Sequence, residues 1–342
     1  METEHEIHVG DARDTSLPDD SIDLVVTSPP YPMIEMWDDL FADANPEIEA
    51  ALSAGDGDTA FELMHDELDA VWAELVRVLK PGGIAVINVG DATRKVDGTF
   101  QSFPNHAHVL RDLRERGLKS LPDILWRKPS NRLTKFMGSG MLPPNAYAAL
   151  EHEYLLVFRN GDTRAFEPGV DHRYESAYFW EERNEWFSDL WTDVRGEEQL
   201  LDHGDLRERS AAFPFELPYR LISMFSVYGD TVFDPFWGTG TTSLAAMVAG
   251  RNSVGYELEP DFVELFAERA ETTPELSRSV ISRRLDDHRT FVGDHGGDLK
   301  YDATYYDFAV KTAQERDIQL YTVSDVERDG TGFFVTHEPY SE

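Results

Sequence analysis

Apolar residues along the chain fall into short blocks whose spacing switches between that of strands and that of helices. Residues 21–27 (SIDLVVT) form an apolar run closed by Ser-Pro-Pro, long enough for a buried strand and too short for a helix. Between residues 61 and 79, Phe61, Met64, Leu68, Val71, Trp72, Leu75 and Leu79 recur at helical spacing. Pro81-Gly82-Gly83 stops that helix before a second apolar run at 84–89. Residues 118–126 and 154–158 predict further strands flanking a loop rich in Pro, Gly, Asn and Arg. The second half repeats the theme, with a helix over 215–228, a strand at 231–234, a helix over 241–249, a strand at 253–257 and a helix over 261–272. Strands alternating with helices predict an α/β fold whose mainly parallel sheet is covered on both faces.

Residues 159–210 interrupt this rhythm, being rich in aromatics and charges without a clear period. Four segments follow: 1–158, an inserted region at 159–210, a second α/β half at 211–272 and an acidic extension at 273–342. Within the extension, residues 320–336 predict a hairpin around Asp329-Gly330, and the extension is assigned no chemistry. No run of 18 apolar residues occurs and the first residues, Met1-Glu2-Thr3-Glu4-His5-Glu6, are acidic, so a cytoplasmic protein with no membrane contact is expected.

Composition narrows the chemistry. Cysteine is absent, which excludes thiolate nucleophiles, and with them any attack on carbon 5 of cytosine, which needs a thiolate to add to the ring. The eleven histidines show no metal-ligand spacing, so no metal is expected. The net charge is -34, and of the 31 cations only Lys80, Lys95, Lys119, Lys128, Lys135, Lys300 and Lys311 are lysines. A carboxylate-rich, lysine-poor surface suits a cytoplasm at molar salt, where the Debye length falls to about 3 Å and self-repulsion is screened. Taken alone, the same composition also fits an acidic protein of an ordinary cell that avoids nucleic acid.

Two turns carry the candidate chemistry. Phe233-Asp234-Pro235-Phe236-Trp237-Gly238-Thr239-Gly240-Thr241-Thr242 places a Gly-x-Gly turn between a strand and a helix, where backbone can approach a ligand and helix N–H groups point at it. The next strand ends in Glu257, whose carboxylate can accept hydrogen bonds from both ribose hydroxyls of an adenosine-containing cofactor. A Gly-x-Gly turn that merely joins two elements is the alternative. The second turn is Thr27-Ser28-Pro29-Pro30-Tyr31. An exocyclic amine is a poor nucleophile because its lone pair is delocalised into the ring. The Ser28 hydroxyl and Pro29 carbonyl can hold its hydrogens and turn the lone pair toward a methyl donor. Pro30 forces Pro29 extended, and Tyr31 offers a flat face to a base flipped from the duplex. A Pro-Pro turn with a packed tyrosine is the alternative here.

Together these motifs resemble the DNA amino-methyltransferases: Asp-Pro-Phe before the glycines, Thr-Thr after them, Gly-Tyr-Glu on the next strand, and Ser-Pro-Pro-Tyr. The catalytic motif precedes the cofactor motif by some two hundred residues, an order that resembles the beta group. Family-like stretches also occur at Val9-Gly10-Asp11-Ala12, Trp126-Arg127-Lys128-Pro129-Ser130-Asn131, Glu151-His152-Glu153-Tyr154 and Ala212-Phe213-Pro214, so the resemblance runs from about residue 7 to 272. It implies a Rossmann-like S-adenosylmethionine-dependent methyltransferase fold in circularly permuted motif order. It also implies a cofactor site at Asp11, Phe213, Asp234, Pro235, Phe236, Gly238, Gly240, Thr241 and Glu257, and catalysis by Ser28, Pro29, Pro30 and Tyr31. Ser-Pro-Pro-Tyr is typical of cytosine N4 enzymes, whereas adenine N6 enzymes more often carry Asp or Asn first. The run from Pro30 to Asp38 resembles archaeal modification methylases acting on CTAG. Trp237 departs from the family, which often has a smaller or polar residue there.

The implied partner is double-stranded DNA, with a cognate restriction endonuclease as a further implied partner. Arg127, Lys128, Asn131, Arg132 and Lys135 form a local cationic loop able to meet phosphates, or a solvated loop. Target recognition in this group usually follows the second catalytic strand, which directs attention to His172, Arg173, Tyr174, Arg183 and Trp186. An adenine N6 enzyme and a DNA-binding regulator without turnover are the competing readings. If the acidic composition is an adaptation to salt, the melting temperature rises by more than about 5 °C between 0.1 and 2 M KCl, read by circular dichroism. A flat or falling dependence contradicts it.

Overall fold

The computed structural model describes residues 1–128, 137–195, 213–295 and 299–341. In chain order its strands are β1 (Glu2–Val9), β2 (Ile22–Thr27), β3 (Leu79–Val89), β4 (Ala92–Val96), β5 (Thr99–Phe103), β6 (Lys119–Ser120), β7 (Ile124–Arg127), β8 (Met137–Gly138) and β9 (Ala146–Tyr147). They continue with β10 (His152–Arg159), β11 (Leu190–Trp191), β12 (Thr231–Asp234), β13 (Asn252–Glu257), β14 (Tyr301–Asp302), β15 (Ala309–Val310), β16 (Tyr321–Asp329) and β17 (Gly332–Pro339). One sheet takes the order β11-β7-β10-β3-β2-β12-β13-β1-β17-β16, with β6 also on β10. From β3 through β1 the neighbours are parallel, and β10 and β17 flank this parallel core as antiparallel strands.

Every residue of β2 is buried because helices cover both faces of the sheet. Alternate strand residues point to opposite sides: Val25, Ala85, Ile87, Leu156 and Phe158 pack beneath the helix Gly57–Val78. Leu24, Val26, Val86, Leu155 and Val157 face the helices Glu216–Phe225 and Thr241–Ala249. The helix Gly57–Val78 begins where the Asp56 carboxylate accepts the Thr59 N–H, and β3 starts immediately after it ends.

The predicted α/β alternation with a mainly parallel sheet is the observed fold. The strand expected over 118–126 is split into β6 and β7, because Pro122 has no N–H and the Asp123 carboxylate, not a backbone carbonyl, accepts the Val157 N–H. Among the elements that the sequence reading did not identify, two are hidden by buried polar residues. In β1, Thr3 and His5 occupy buried positions normally filled by apolar side chains, with His5 bonded to Thr3 and Ser253. The helix Thr273–Asp294 buries Ser277, Arg284 and His288 among its apolar residues, which erases the stripe. The C-terminal hairpin forms as expected, and it extends the main sheet by pairing β17 with β1.

Trp237 is buried in a third cluster with Ile7, Phe266 and Phe333 and donates from Nε1 to Ser243 Oγ at 2.8 Å. Its indole lies over Gly255 in β13, where a Cβ would overlap the ring. The large side chain is therefore matched by a glycine opposite it. Gly255→Ala should cost about 1–3 kcal/mol, read as a lower urea midpoint at unchanged m-value, and an unchanged midpoint would show that the indole is free to move aside.

Candidate active site

The parallel strands end on one side of the sheet, and Ser28-Pro29-Pro30-Tyr31 leaves the tip of β2 there. Prolines remove two backbone donors from this turn, and among the described residues the Pro29 carbonyl accepts no hydrogen bond. Ser28 Oγ lies 3.1 Å from the Tyr31 hydroxyl, which donates to Glu153 Oε2 at 3.0 Å. Asn88, next to last in β3, donates from Nδ2 to Glu153 at 2.8 Å and to the Tyr31 hydroxyl at 3.0 Å. Its Oδ1 is buried without a hydrogen-bond partner. Lys128 forms an ion pair with the other Glu153 oxygen. Burial, with the Glu153 carboxylate beside it, raises the Tyr31 phenol well above its ordinary value, so it remains a donor. A Cβ at Gly90 would stand 3.0 Å from the Tyr31 ring and 3.1 Å from Glu153, so glycine leaves room for this pair.

Glu153 and Asn88 are functional candidates to which sequence reasoning gave no role. The signal was a polar residue inside an apolar strand: Asn88 interrupts a run of buried apolar residues between Ile87 and Val89, and Glu153 sits at a buried position of β10. Buried polar groups of this kind need partners, and here the partners are Ser28 and Tyr31.

Asp234, at the tip of β12, is 3% exposed. Its Oδ1 accepts the Thr27 hydroxyl at 2.6 Å and the Phe236 N–H at 3.1 Å, and its Oδ2 accepts the Thr242 hydroxyl at 2.7 Å. The carboxylate thus fastens the strand that carries Ser28 to the Gly-x-Gly turn and to the helix after it. Burial pushes its carboxyl up to about 6 despite these bonds.

Above that clasp the turn is open. Gly238 has positive φ and nothing nearer than 3.8 Å to a Cβ there, and Gly10 has nothing within 4 Å. Glu257 reaches the same rim: Oε2 accepts the Gly238 N–H at 2.8 Å, Oε1 the Glu259 N–H at 3.0 Å, and its own carbonyl accepts the Gly10 N–H. Burial raises the Glu257 carboxyl, and these backbone donors oppose that shift. Asp11 follows Gly10 and holds Arg13, whose guanidinium keeps the Asp11 carboxyl below the usual range. Gly240, also at positive φ, starts the helix at Thr241, and a Cβ there would strike Phe266 and Trp237. Pro235 is buried, Phe236 stands edge-on to Trp72, and Phe213 packs into the core face before the helix Glu216–Phe225.

The remaining expected residues are dispersed. Arg127 is bonded to Glu151 beside the Lys128–Glu153 pair, at the catalytic end of the sheet. Asn131, Arg132 and Lys135 lie outside the described residues, as does Ala212. His172, Arg173, Tyr174 and Arg183 follow β10 off its C-terminal end, which is the end of the sheet opposite Ser28, and Trp186 is buried. Among the described residues no cluster of His, Asp and Glu could hold a metal ion, and no helix is long and apolar enough to cross a membrane.

The N6/N4 methyltransferase family model, described as DNA methylase, matches residues 22–268. The Type II methyltransferase M.MthZI of Methanothermobacter thermautotrophicus is 53% identical over 325 residues, covering 94% of this chain and 91% of that protein. The Type II methyltransferase M.MjaI of Methanocaldococcus jannaschii is 49% identical over 279 residues, covering 78% and 91%. The crystal structure of a putative DNA modification methylase from Thermus thermophilus, complexed with S-adenosyl-L-methionine, superposes with a TM-score of 0.61 at 35% identity, covering 78% of this chain and 92% of that one. The cytosine-N4-specific PvuII DNA methyltransferase shares the fold, with a TM-score of 0.52 at 20% identity over 78% and 86% of the two chains.

Because the Asp234 carboxyl is raised to about 6, its ionisation opposes folding. The cost is fully present above that pH, shrinks as pH falls toward the unfolded value near 3.8 and is absent below it. Asp234→Asn removes this dependence. Between pH 4 and 7 the stability of the variant relative to the parent should move in the variant's favour by about 2 kcal/mol, measured by urea denaturation. A gap that stays constant with pH would mean the carboxyl titrates normally.

Proposed function

The chain belongs to the N6/N4 DNA methylase family, and from that premise we propose that it methylates the N4 amine of cytosine in duplex DNA, with CTAG as the site. At the coarser level it is an S-adenosylmethionine-dependent DNA methyltransferase of the beta group. The residues present fit that cofactor: the space above Gly238 and Gly10 admits a ligand against the backbone, and Glu257 presents a carboxylate at its rim. When bound, S-adenosylmethionine supplies a methyl group activated by a positively charged sulfur.

The observation that carries the catalytic reading is the hydrogen-bonded line Ser28–Tyr31–Glu153. The Pro29 carbonyl and Ser28 Oγ accept the two amine hydrogens, which draws the nitrogen lone pair out of the ring. The unpartnered Asn88 Oδ1 adds an acceptor nearby. An amine that gains a methyl carbon must lose a proton. That proton passes to Ser28 Oγ, the Ser28 proton to the Tyr31 oxygen, and the Tyr31 proton to Glu153 Oε2, the last two moves running along contacts of 3.1 and 3.0 Å. Glu153 ends protonated, and Tyr31 keeps its ring fixed for the extruded base throughout.

Cytosine is favoured by serine at the first position of the motif, and CTAG by the run from Pro30 to Asp38. M.MthZI and M.MjaI are named Type II methyltransferases, which supports pairing with a restriction endonuclease of the same specificity. The intact proton line and open cofactor turn favour turnover over a purely DNA-binding role.

Duplex containing CTAG, incubated with the protein and S-adenosylmethionine at about 2 M KCl and then digested to nucleosides, should yield N4-methylcytosine by mass spectrometry. N6-methyladenine would transfer the target to adenine, and unmodified nucleosides would sink the reading. Tyr31→Ala should abolish turnover and Glu153→Gln lower kcat about a hundredfold, both with cofactor affinity unchanged.

A further inference from the structure

At the end of the sheet opposite Ser28, the start of the inserted region and the C-terminal extension enclose a cleft of about 680 Å³, a size that suits a small organic ligand. Four arginines line it, Arg159, Arg164, Arg173 and Arg183, in a chain whose net charge is -34. Arg164 is committed to the fold, bonding both Asp230 oxygens and lying 3.4 Å from Asp23. Arg173 and Arg183 differ. Among the described residues neither has a carboxylate within 4 Å, and both are exposed, Arg173 over the Phe166 ring and Arg183 over Phe187.

The carboxylates facing the cleft are already occupied. Asp23 holds Lys80 and Arg164, and buried Glu315 accepts the Trp180 and Thr312 N–H groups. The cleft therefore keeps an excess of positive charge although carboxylates outnumber cations two to one in the chain. Flat side chains share the lining: Tyr174, Tyr178 and Trp180. Guanidinium forks match phosphate oxygens and ring faces accept a base, so both halves of a nucleotide are provided for in one space. A small inorganic anion would leave most of the volume and every ring unused. Thr312, Gln314 and Glu315 close one side from beyond residue 268, where the family match ends, so one wall of this cleft comes from outside the matched segment.

We propose that this cleft is a second binding site, separate from the methyltransferase centre, for a phosphate-bearing nucleotide, with Arg173 and Arg183 on the phosphates and Tyr174 and Trp180 beside the base. The unit is either a free nucleotide or one residue of a single strand. The proposal stands apart from the choice of methylated base, because it uses none of the residues at the catalytic turn.

Isothermal titration of the full chain, saturated with S-adenosylhomocysteine to fill the cofactor turn, tests it with ATP in one arm and a ten-nucleotide oligothymidylate in the other. One-site binding in either arm, weakened at least tenfold by Arg173→Ala with Arg183→Ala, supports the site, and the arm that binds identifies the source. The double variant should keep the parent melting temperature and affinity for S-adenosylhomocysteine. Tyr174→Ala should weaken binding severalfold. No heat at millimolar ligand in either arm overturns the proposal, as does binding that ignores the arginine substitutions. Tripolyphosphate binding as tightly as ATP overturns the assignment of a nucleotide.

Discussion

The buried Asp234 carboxylate holds the two working halves of the molecule in register. Thr27 and Asp234 are 207 residues apart in the chain, yet they are joined by a 2.6 Å hydrogen bond at the tips of adjacent strands. Removing a carboxylate from water is costly, and the raised value of about 6 shows that three hydrogen bonds do not fully offset the cost. What the fold gains is a fixed distance. The turn that presents Ser28 and the turn that presents Gly238 start from the same clasp, so neither can shift without straining the other. Reactions between two bound molecules depend on such positioning, where an error of 1 Å can cost a hundredfold in rate.

The same adjacency explains why motif order in the chain carries no mechanical meaning. β2 and β12 are neighbours in the sheet whichever is made first, and both are buried apolar strands that end in a polar side chain aimed at the catalytic side. Parallel strands covered by helices deliver their C-terminal tips to one side, and ligands bind in the crevice there. Glu153 reaches that side from an antiparallel strand, at its N-terminal end, which is how β10 contributes to the site without belonging to the parallel core.

Much of this was legible from residues alone. Apolar runs such as IDLVVT and the spacing of Phe61, Met64, Leu68 and Trp72 identified the central strands and the first covering helix, because burial on two faces or one imposes those patterns. Ser28, Tyr31, Gly238 and Glu257 stood out because turn chemistry is local. What stayed hidden was non-local. Glu153 acquires its meaning from Tyr31, 122 residues away, and Asn88 from both. The helix Thr273–Asp294 was hidden for a related reason: Arg284 is buried through its bonds to Glu182 and Tyr219. A charged residue paired inside the core reads, in sequence, like one on the surface. Order in the chain groups residues 172–183 with DNA recognition, whereas the direction of β10 carries them to the far end of the sheet.

The pairing of β17 with β1 has a consequence for how the protein is born. β1 emerges from the ribosome before either of its partners and finds β13 on one side only after more than two hundred further residues, and β17 on the other after more than three hundred. At about 5–20 residues per second, that leaves an unpaired strand edge waiting for roughly 20–60 s. During this interval Thr3 and His5, the polar residues at buried positions of β1, make the nascent segment a poor template for sticking to other chains. A strand that must wait longest for its partners is thus also one whose composition lets it wait safely.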